Sequence, residues 1–456
     1  MSFMPVATDR GQPPPLWLAP LIAVGVTALV VLPAWFGVLS PPALLVLVPA
    51  VAVAASWLLA RVPQAIVFLV PASLAAPMTF YTYPWEIALC GLLLLLLIEA
   101  VRRRAAWFTR WSRLEVVLAL FTLLGLMSLF WVFDARTYII HARRLLLGMG
   151  TLWAASRLPA VASKRWFEAG VLGAALSVAL AGLGRWVTSG FTAEEAMLRR
   201  PEATNLGWGT ANFLATLMML VSPVALAIAV ESRGARRVAA WATLLLVGTL
   251  QLLIASRAAA SLFVVGMLVQ FTFMGQGGRA GRRRGVIAAG LAAAVAGVLA
   301  SPLGSGFLLR FTSLRELGSI TIRIWYWREA WLRLVEHLPL GLGLGQGYAY
   351  ADKLQNIDPH NYWLVVGSEL GVLGLLLWAA VLVITWRAVG RLGSAPEMRG
   401  RVFALQVAFV LAQLHTLVEP TFQGTQYQFL WFWLFGGYLA YGAEEEADAA
   451  SASSRR

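Results

Sequence analysis

The chain is poor in charge, in cysteine and in lysine, and each shortage removes a class of function. Only 13% of its 456 residues are charged, where a soluble domain carries about a quarter. Its single cysteine, Cys90, lies in an apolar run, which leaves no disulfide and no thiolate metal site to expect. The four histidines include no pair at metal-ligand spacing, and the outer loops hold no Asp-x-Asp cluster of the kind that clamps a metal diphosphate. Lys164 and Lys353 are the only lysines, so nearly all positive charge is arginine, whose planar fork suits phosphate. The glycine-rich loop GLGLGQG, Gly341 to Gly347, lacks both the preceding strand and the lysine of a phosphate loop. It reads as a turn that lets backbones pack closely. No internal repeat is visible, which disfavours a transporter or flippase of lipid-linked sugars, the alternative from another functional class.

What fills the chain is apolar sequence: 59% of residues are hydrophobic and the mean hydropathy is +0.74. Continuous runs near 20 residues match a bilayer core, and in lipid such runs must be helices rather than barrel strands. Apolar runs fall at 16–36, 43–60, 62–80, 85–101, 114–133, 138–156, 166–187, 209–230, 238–255, 258–275, 285–301, 361–386, 402–418 and 428–442. Several are short or carry prolines such as Pro71 and Pro77, so the expectation is an all-α polytopic bundle of about 12 to 14 spans. The net charge of +14 sits in short loops. With a cytoplasmic N-terminus, the basic clusters between spans, among them Arg102–Arg104, Lys164-Arg165, Arg236-Arg237 and Arg399 with Arg401, all fall inside. The expected organisation is a cytoplasmic tail at 1–15, spans with short loops to 301, a long outer loop at 302–359, further spans over 360–442, and a disordered acidic tail at 443–456.

Positive charges on the wrong side are the informative ones. The outer loop carries Arg310, Arg315, Arg323, Arg328 and Arg333. Its SITIRIWYWREAWLRLVEHLPL segment has apolar positions at helical spacing, and Trp325, Trp327 and Trp331 suit a helix at headgroup level. Arg323, Trp327, Ala330 and Leu334 share one largely apolar face that should pack inward, while Arg328 points elsewhere. Arg257 is a lone charge at a tight outer turn, and Arg143 with Arg144 lies about two turns inside a span's outer end. Arginines converging on an outer cavity would bind an anion, such as a lipid-linked diphosphate.

In DPHNYWLVVGSELGVLG, Asp358-Pro359 predicts a helix start, with Asp as N-cap and Pro at the first helical position. His360 would then sit in the first turn, where the helix dipole and nearby arginines favour a neutral imidazole able to accept a proton. Glu369 falls on the opposite side of a straight helix, about 13 Å deeper, and reads as an internal hydrogen-bond or ion-pair lock. His141 and His415 lie in spans as structural polar contacts.

Four stretches in order, GTANFLATLMM, ASRAA, Arg323 followed by EHLPLGLGLGQG, and HNYWLVVGSELGVLG, resemble the O-antigen ligase and polymerase superfamily. They cover roughly residues 205–375. The resemblance implies a GT-C-like fold in a Gram-negative inner membrane. It implies a metal-independent, cofactor-free, inverting glycosyltransferase whose site faces the periplasm. The donor partner would be an undecaprenyl-diphosphate-linked O-antigen, and for a ligase the acceptor partner is lipid A–core oligosaccharide. On this sequence His360 would be the general base, with Arg257 and Arg323 stabilising the diphosphate. Arg143, Arg144, Arg328 and Asn361 would contact substrate, and Glu369 with Asn212 would support the site. The polymerase reading stays open. Some polymerases carry outer-loop arginines followed by glycine eleven positions on, a pattern absent here, which leans the reading toward ligase.

Overall fold

The computed structural model describes residues 64–76, 83–103, 111–190, 206, 211–254, 256–274, 315–347, 359–393 and 398–453. Among these residues every regular element is helical. In chain order they are α1 (Ala65–Ala72), α2 (Pro84–Arg103), α3 (Arg113–Met127), α4 (Ala135–Ala155), α5 (Lys164–Thr188), α6 (Ala211–Glu231), α7 (Gly234–Ile254) and α8 (Arg257–Phe273). They continue with α9 (Arg315–Glu336), α10 (Tyr362–Leu392), α11 (Arg399–Thr416) and α12 (Thr425–Ser453). The expected runs at 16–36, 43–60 and 285–301, and the outer-loop Arg310, lie outside the described residues.

Helices α2, α3, α5, α6, α7 and α10 are long and apolar enough to cross a membrane. The chain is therefore a multi-pass membrane protein. α6 is the central post: 89% of its apolar window is buried, and it packs against α5, α7, α8, α11 and α12. Local chemistry sets the helix starts. Ser112 and Glu115 form a capping box on α3, and Asp134 caps α4 by accepting from Arg136 and Thr137 backbone N–H groups.

Lys164, Arg236 and Arg401, basic residues assigned to one side in the sequence, gather at one end of this bundle. Arg401 of α11 pairs with Glu168 of α5 at 2.9 Å and with Glu231 at the last turn of α6. Arg236 of α7 pairs with the same Glu168. Buried carboxylates in an apolar bundle need such partners, since an isolated charge there is costly. Lys164 reaches Glu445 at 2.7 Å. That contact corrects the expectation of a disordered acidic tail, because α12 continues to Ser453. Alanine and glutamate are strong helix formers, and the helix above them already supplies the nucleus.

At the opposite end, the glycine-rich loop is wedged into α10. The backbone of α10 breaks at Gly371 (φ 65°, ψ −161°). The carbonyls released there are taken up from the loop: Leu342 N–H donates to Ser368 O at 2.9 Å and Gly343 N–H to Glu369 O at 2.8 Å. Gly345 N–H donates to the Glu369 carboxylate at 2.9 Å. Gln346 closes the other side, accepting from Phe133 and Asp134 N–H groups and donating to Asp134 O. The loop thus staples the start of α4 to the break in α10. Close backbone packing is what the glycines permit: a Cβ at Gly371 would overlap the Pro339 carbonyl. Gly371→Ala combines this overlap with a left-handed φ and is expected to destabilise the protein by about 3 kcal/mol or more. Thermal unfolding of the purified variant checks this, and a wild-type midpoint would show that the loop is not wedged as described.

Candidate active site

Helix α9 turns the expected face inward. Ala330 and Leu334 are buried, Arg323 and Trp327 are partly buried, and Arg328 is exposed. Trp327 is not at the surface with the other two loop tryptophans. Its Nε1–H donates to Pro359 O at 2.7 Å, which pins the residue before His360. One helical turn earlier, Arg323 donates through Nη1 to Val418 O at 3.1 Å and through Nη2 to Glu419 Oε1 at 3.2 Å.

The start of α10 differs from the expected one. Asn361 is the N-cap, accepting from Trp363 N–H at 3.0 Å and Leu364 N–H at 3.2 Å. Asp358 lies outside the described residues. His360 therefore precedes the cap rather than occupying the first turn, and it holds a left-handed φ of 48°. The amide oxygen of Asn361 satisfies two orphan N–H groups from that position. The positive φ is tolerated by histidine more readily than by most side chains, at a cost of about 1 to 2 kcal/mol. The backbone turn swings the imidazole toward the segment after α11, where Nδ1 lies 3.3 Å from Glu419 Oε2.

Glu419 is the hub of the site. It is buried, and three donors from three different helices or their flanks converge on its carboxylate: Asn212 of α6, Arg323 of α9 and His360 before α10. Burial opposes ionisation of this carboxyl, but the hydrogen bond from His360 and the positive field around it, with the Arg323 guanidinium at its centre, outweigh it, so its pKa lies below the ordinary value. An ionised carboxylate only accepts, so the hydrogen facing it sits on His360 Nδ1, and a neutral ring in this pose carries its lone pair on Nε2. Behind Glu419, the buried His415 is bonded to Thr216 at 2.8 Å, and the Thr216 hydroxyl donates to Asn212 O at 2.8 Å. α6 thereby links both ends of the molecule, with Asn212 in its first turn and Glu231, in the charge network, at its last.

The other expected site residues whose side chains are described have contacts elsewhere. Asn361 acts on the backbone of α10 as its cap. Arg143 pairs with Glu86 of α2. Arg144 lines a separate cavity of about 30 Å³ with His141, Tyr362, Glu369, Gln423 and Gln428. Glu369 is engaged with the glycine-rich loop. Arg328 is exposed. Arg257 is the first residue of α8, just beyond the end of α7 at Ile254, and its side chain lies outside the described residues. Glu419 is the residue the sequence reading missed. It is the only acidic residue between Glu397 and Glu444, and a lone carboxylate at the end of an apolar run carries the same signal that drew attention to Arg257.

No protein-family model matches the chain, and no curated protein sequence matches it.

Proposed function

We propose that the chain is an O-antigen ligase, an inverting glycosyltransferase that moves a glycan from a lipid-linked diphosphate donor to a sugar hydroxyl of lipid A–core on the periplasmic face of the inner membrane. The observation that carries this reading is the contact of His360 Nδ1 with the buried Glu419 carboxylate, beside Arg323. A histidine so oriented presents a lone pair at Nε2 to an incoming hydroxyl. In the reaction, Nε2 takes the acceptor proton as the acceptor oxygen attacks the anomeric carbon. The carbon–oxygen bond to the diphosphate breaks on the opposite face, and the undecaprenyl diphosphate leaves with the bonding electrons. Negative charge develops on the departing diphosphate, and fixed guanidinium donors stabilise it. Glu419 neutralises part of Arg323's charge, since two of its five N–H groups are committed to Glu419 and Val418 O. A second cation is therefore required, and Arg257 at the start of α8 fills that role in this reading.

The test is transfer by the purified protein supplied with both lipids. Product must depend on lipid A–core; extension of the lipid-linked glycan without it would identify a polymerase, and no transfer at all would return the transporter reading. Arg323→Ala and Arg257→Ala are each expected to lower donor kcat/KM by about 10² to 10³ while leaving acceptor KM near wild type. Normal donor kinetics in both variants would remove the diphosphate clamp.

A further inference from the structure

α9 has a second face that the site does not use. On the flank beside Ala330 and Leu334, Ile324, Trp331 and Val335 recur at helical spacing and are exposed, Trp331 by 57%. Leu338 continues the stripe past the helix end, and Arg328 lies within it. Large apolar side chains in such a row are unfavourable in water. The stripe does not stop at the end of α9. Leu338 and Leu340, both exposed, flank Pro339, whose carbonyl lies against Gly371 at the break in α10. Val372, Leu373 and Leu376, which follow the break, are exposed as well.

The break has a fixed place relative to a bilayer. From Val372 to Arg387 α10 rises about 23 Å at 1.5 Å per residue, and the snorkelling reach of Arg387 extends this toward the thickness of a hydrocarbon core. Gly371 therefore falls at the core's edge, and the turn carrying Leu338 and Leu340 falls there with it. The exposed apolar row of α9 begins where the lipid-facing surface of α10 ends. A cation within an apolar row, with tryptophan beside it, is the composition of a helix face resting on headgroups. A protein partner would have to bury Arg328, whereas a headgroup layer supplies phosphate for it.

We propose that the outer face of α9 is seated on the membrane, with Trp331, Val335 and Leu338 at the acyl–headgroup boundary and Arg328 at the phosphate layer of a phospholipid bilayer. α9 then borders both lipid and active site, with Arg323, Ala330 and Leu334 on one face and Arg328, Trp331 and Val335 on the adjoining one. This seating does not rest on the transferase reading, because it follows from the exposed row and the position of the break.

Spin labelling of the full chain in phospholipid nanodiscs tests it. The native Cys90, exposed on the membrane-crossing α2, gives the lipid reference. In a Cys90→Ala background, Arg136→Cys, at an exposed position in the first turn of α4, gives the aqueous reference. Trp331→Cys, Val335→Cys and Leu338→Cys are labelled in turn, and each labelled protein is required to elute and melt like the Cys90→Ala parent. All three substituted side chains are exposed, so none removes core packing. Labels at these positions are expected to collide with oxygen in preference to a water-soluble nickel chelate, as at Cys90. Preference for the chelate, as at Arg136, overturns the seating. So does shielding from both probes, and dipolar broadening between labels would assign the face to a second copy.

Discussion

His360→Ala is expected to lose glycan transfer, with kcat lower by about 10² to 10⁴, the range a general base supplies, and to lose in stability no more than about 1 to 3 kcal/mol, the worth of its hydrogen bond to Glu419. The imidazole is only partly buried, so its removal opens no core cavity. The positive φ at this position lets folding and chemistry be separated. Alanine keeps the strain, whereas glycine adopts the same backbone freely, so His360→Gly should be as inactive as His360→Ala while melting at least as high. In cells both variants should show lipid A–core without O-antigen on a lipopolysaccharide gel. Wild-type transfer by either purified variant would remove His360 from the chemistry. Loss of activity accompanied by a matching loss of stability in both would reduce it to a structural residue.

Periodicity makes much of the described bundle legible in the sequence. The runs at 85–101, 166–187 and 238–255 match α2, α5 and α7 because each is a continuous apolar stretch of membrane length. The inward face of α9 was also readable, since Arg323, Trp327, Ala330 and Leu334 are related by helical spacing alone. What periodicity could not supply was the pairing between distant segments. Asn212, Arg323, His360 and Glu419 meet across four separate parts of the chain, and nothing in local pattern says that α6, α9, α10 and α11 end at one point. The same limit explains the helix start at α10. Asp358-Pro359 and Asn361 are both acceptable caps by composition, and the choice is made by tertiary contacts, with Trp327 holding Pro359 and Glu419 holding His360. The pairing of Arg143 with Glu86 was hidden for the same reason, since Glu86 lies on another helix.

Glu419 gives the sharper of the two large expected effects, because alanine and glutamine should separate its structural and orienting roles. In Glu419→Ala the donors of Asn212, Arg323 and His360 lose their shared acceptor together. Removing one partner of a buried charge pair costs roughly 3 to 5 kcal/mol. The low end applies here, because Arg323 and His360 retain 30% and 28% of their side-chain exposure and water screens them. Glu419→Gln preserves the shape and one acceptor oxygen, so it should fold. Its amide must choose, however. If the oxygen serves Asn212 and Arg323, the NH₂ faces His360 Nδ1, which can then only accept, and the ring hydrogen moves to Nε2. The proton-accepting nitrogen is thereby turned away from the acceptor hydroxyl, and kcat is expected to fall about 10²-fold or more. A purely structural role for Glu419 predicts the reverse, near-normal kcat in a folded Glu419→Gln. The acid dependence of stability provides an independent check. The folded-state carboxyl titrates below its ordinary value, so the unfolded chain takes up its proton first as pH falls. The stabilisation it contributes is complete above the ordinary carboxylate pKa and is lost as pH drops through the lowered one. Wild-type protein should therefore lose stability over that acidic window, and Glu419→Gln, which has no proton to take up, should lose less of it; identical acid profiles for the two proteins would mean that Glu419 does not hold its charge at the centre of the site.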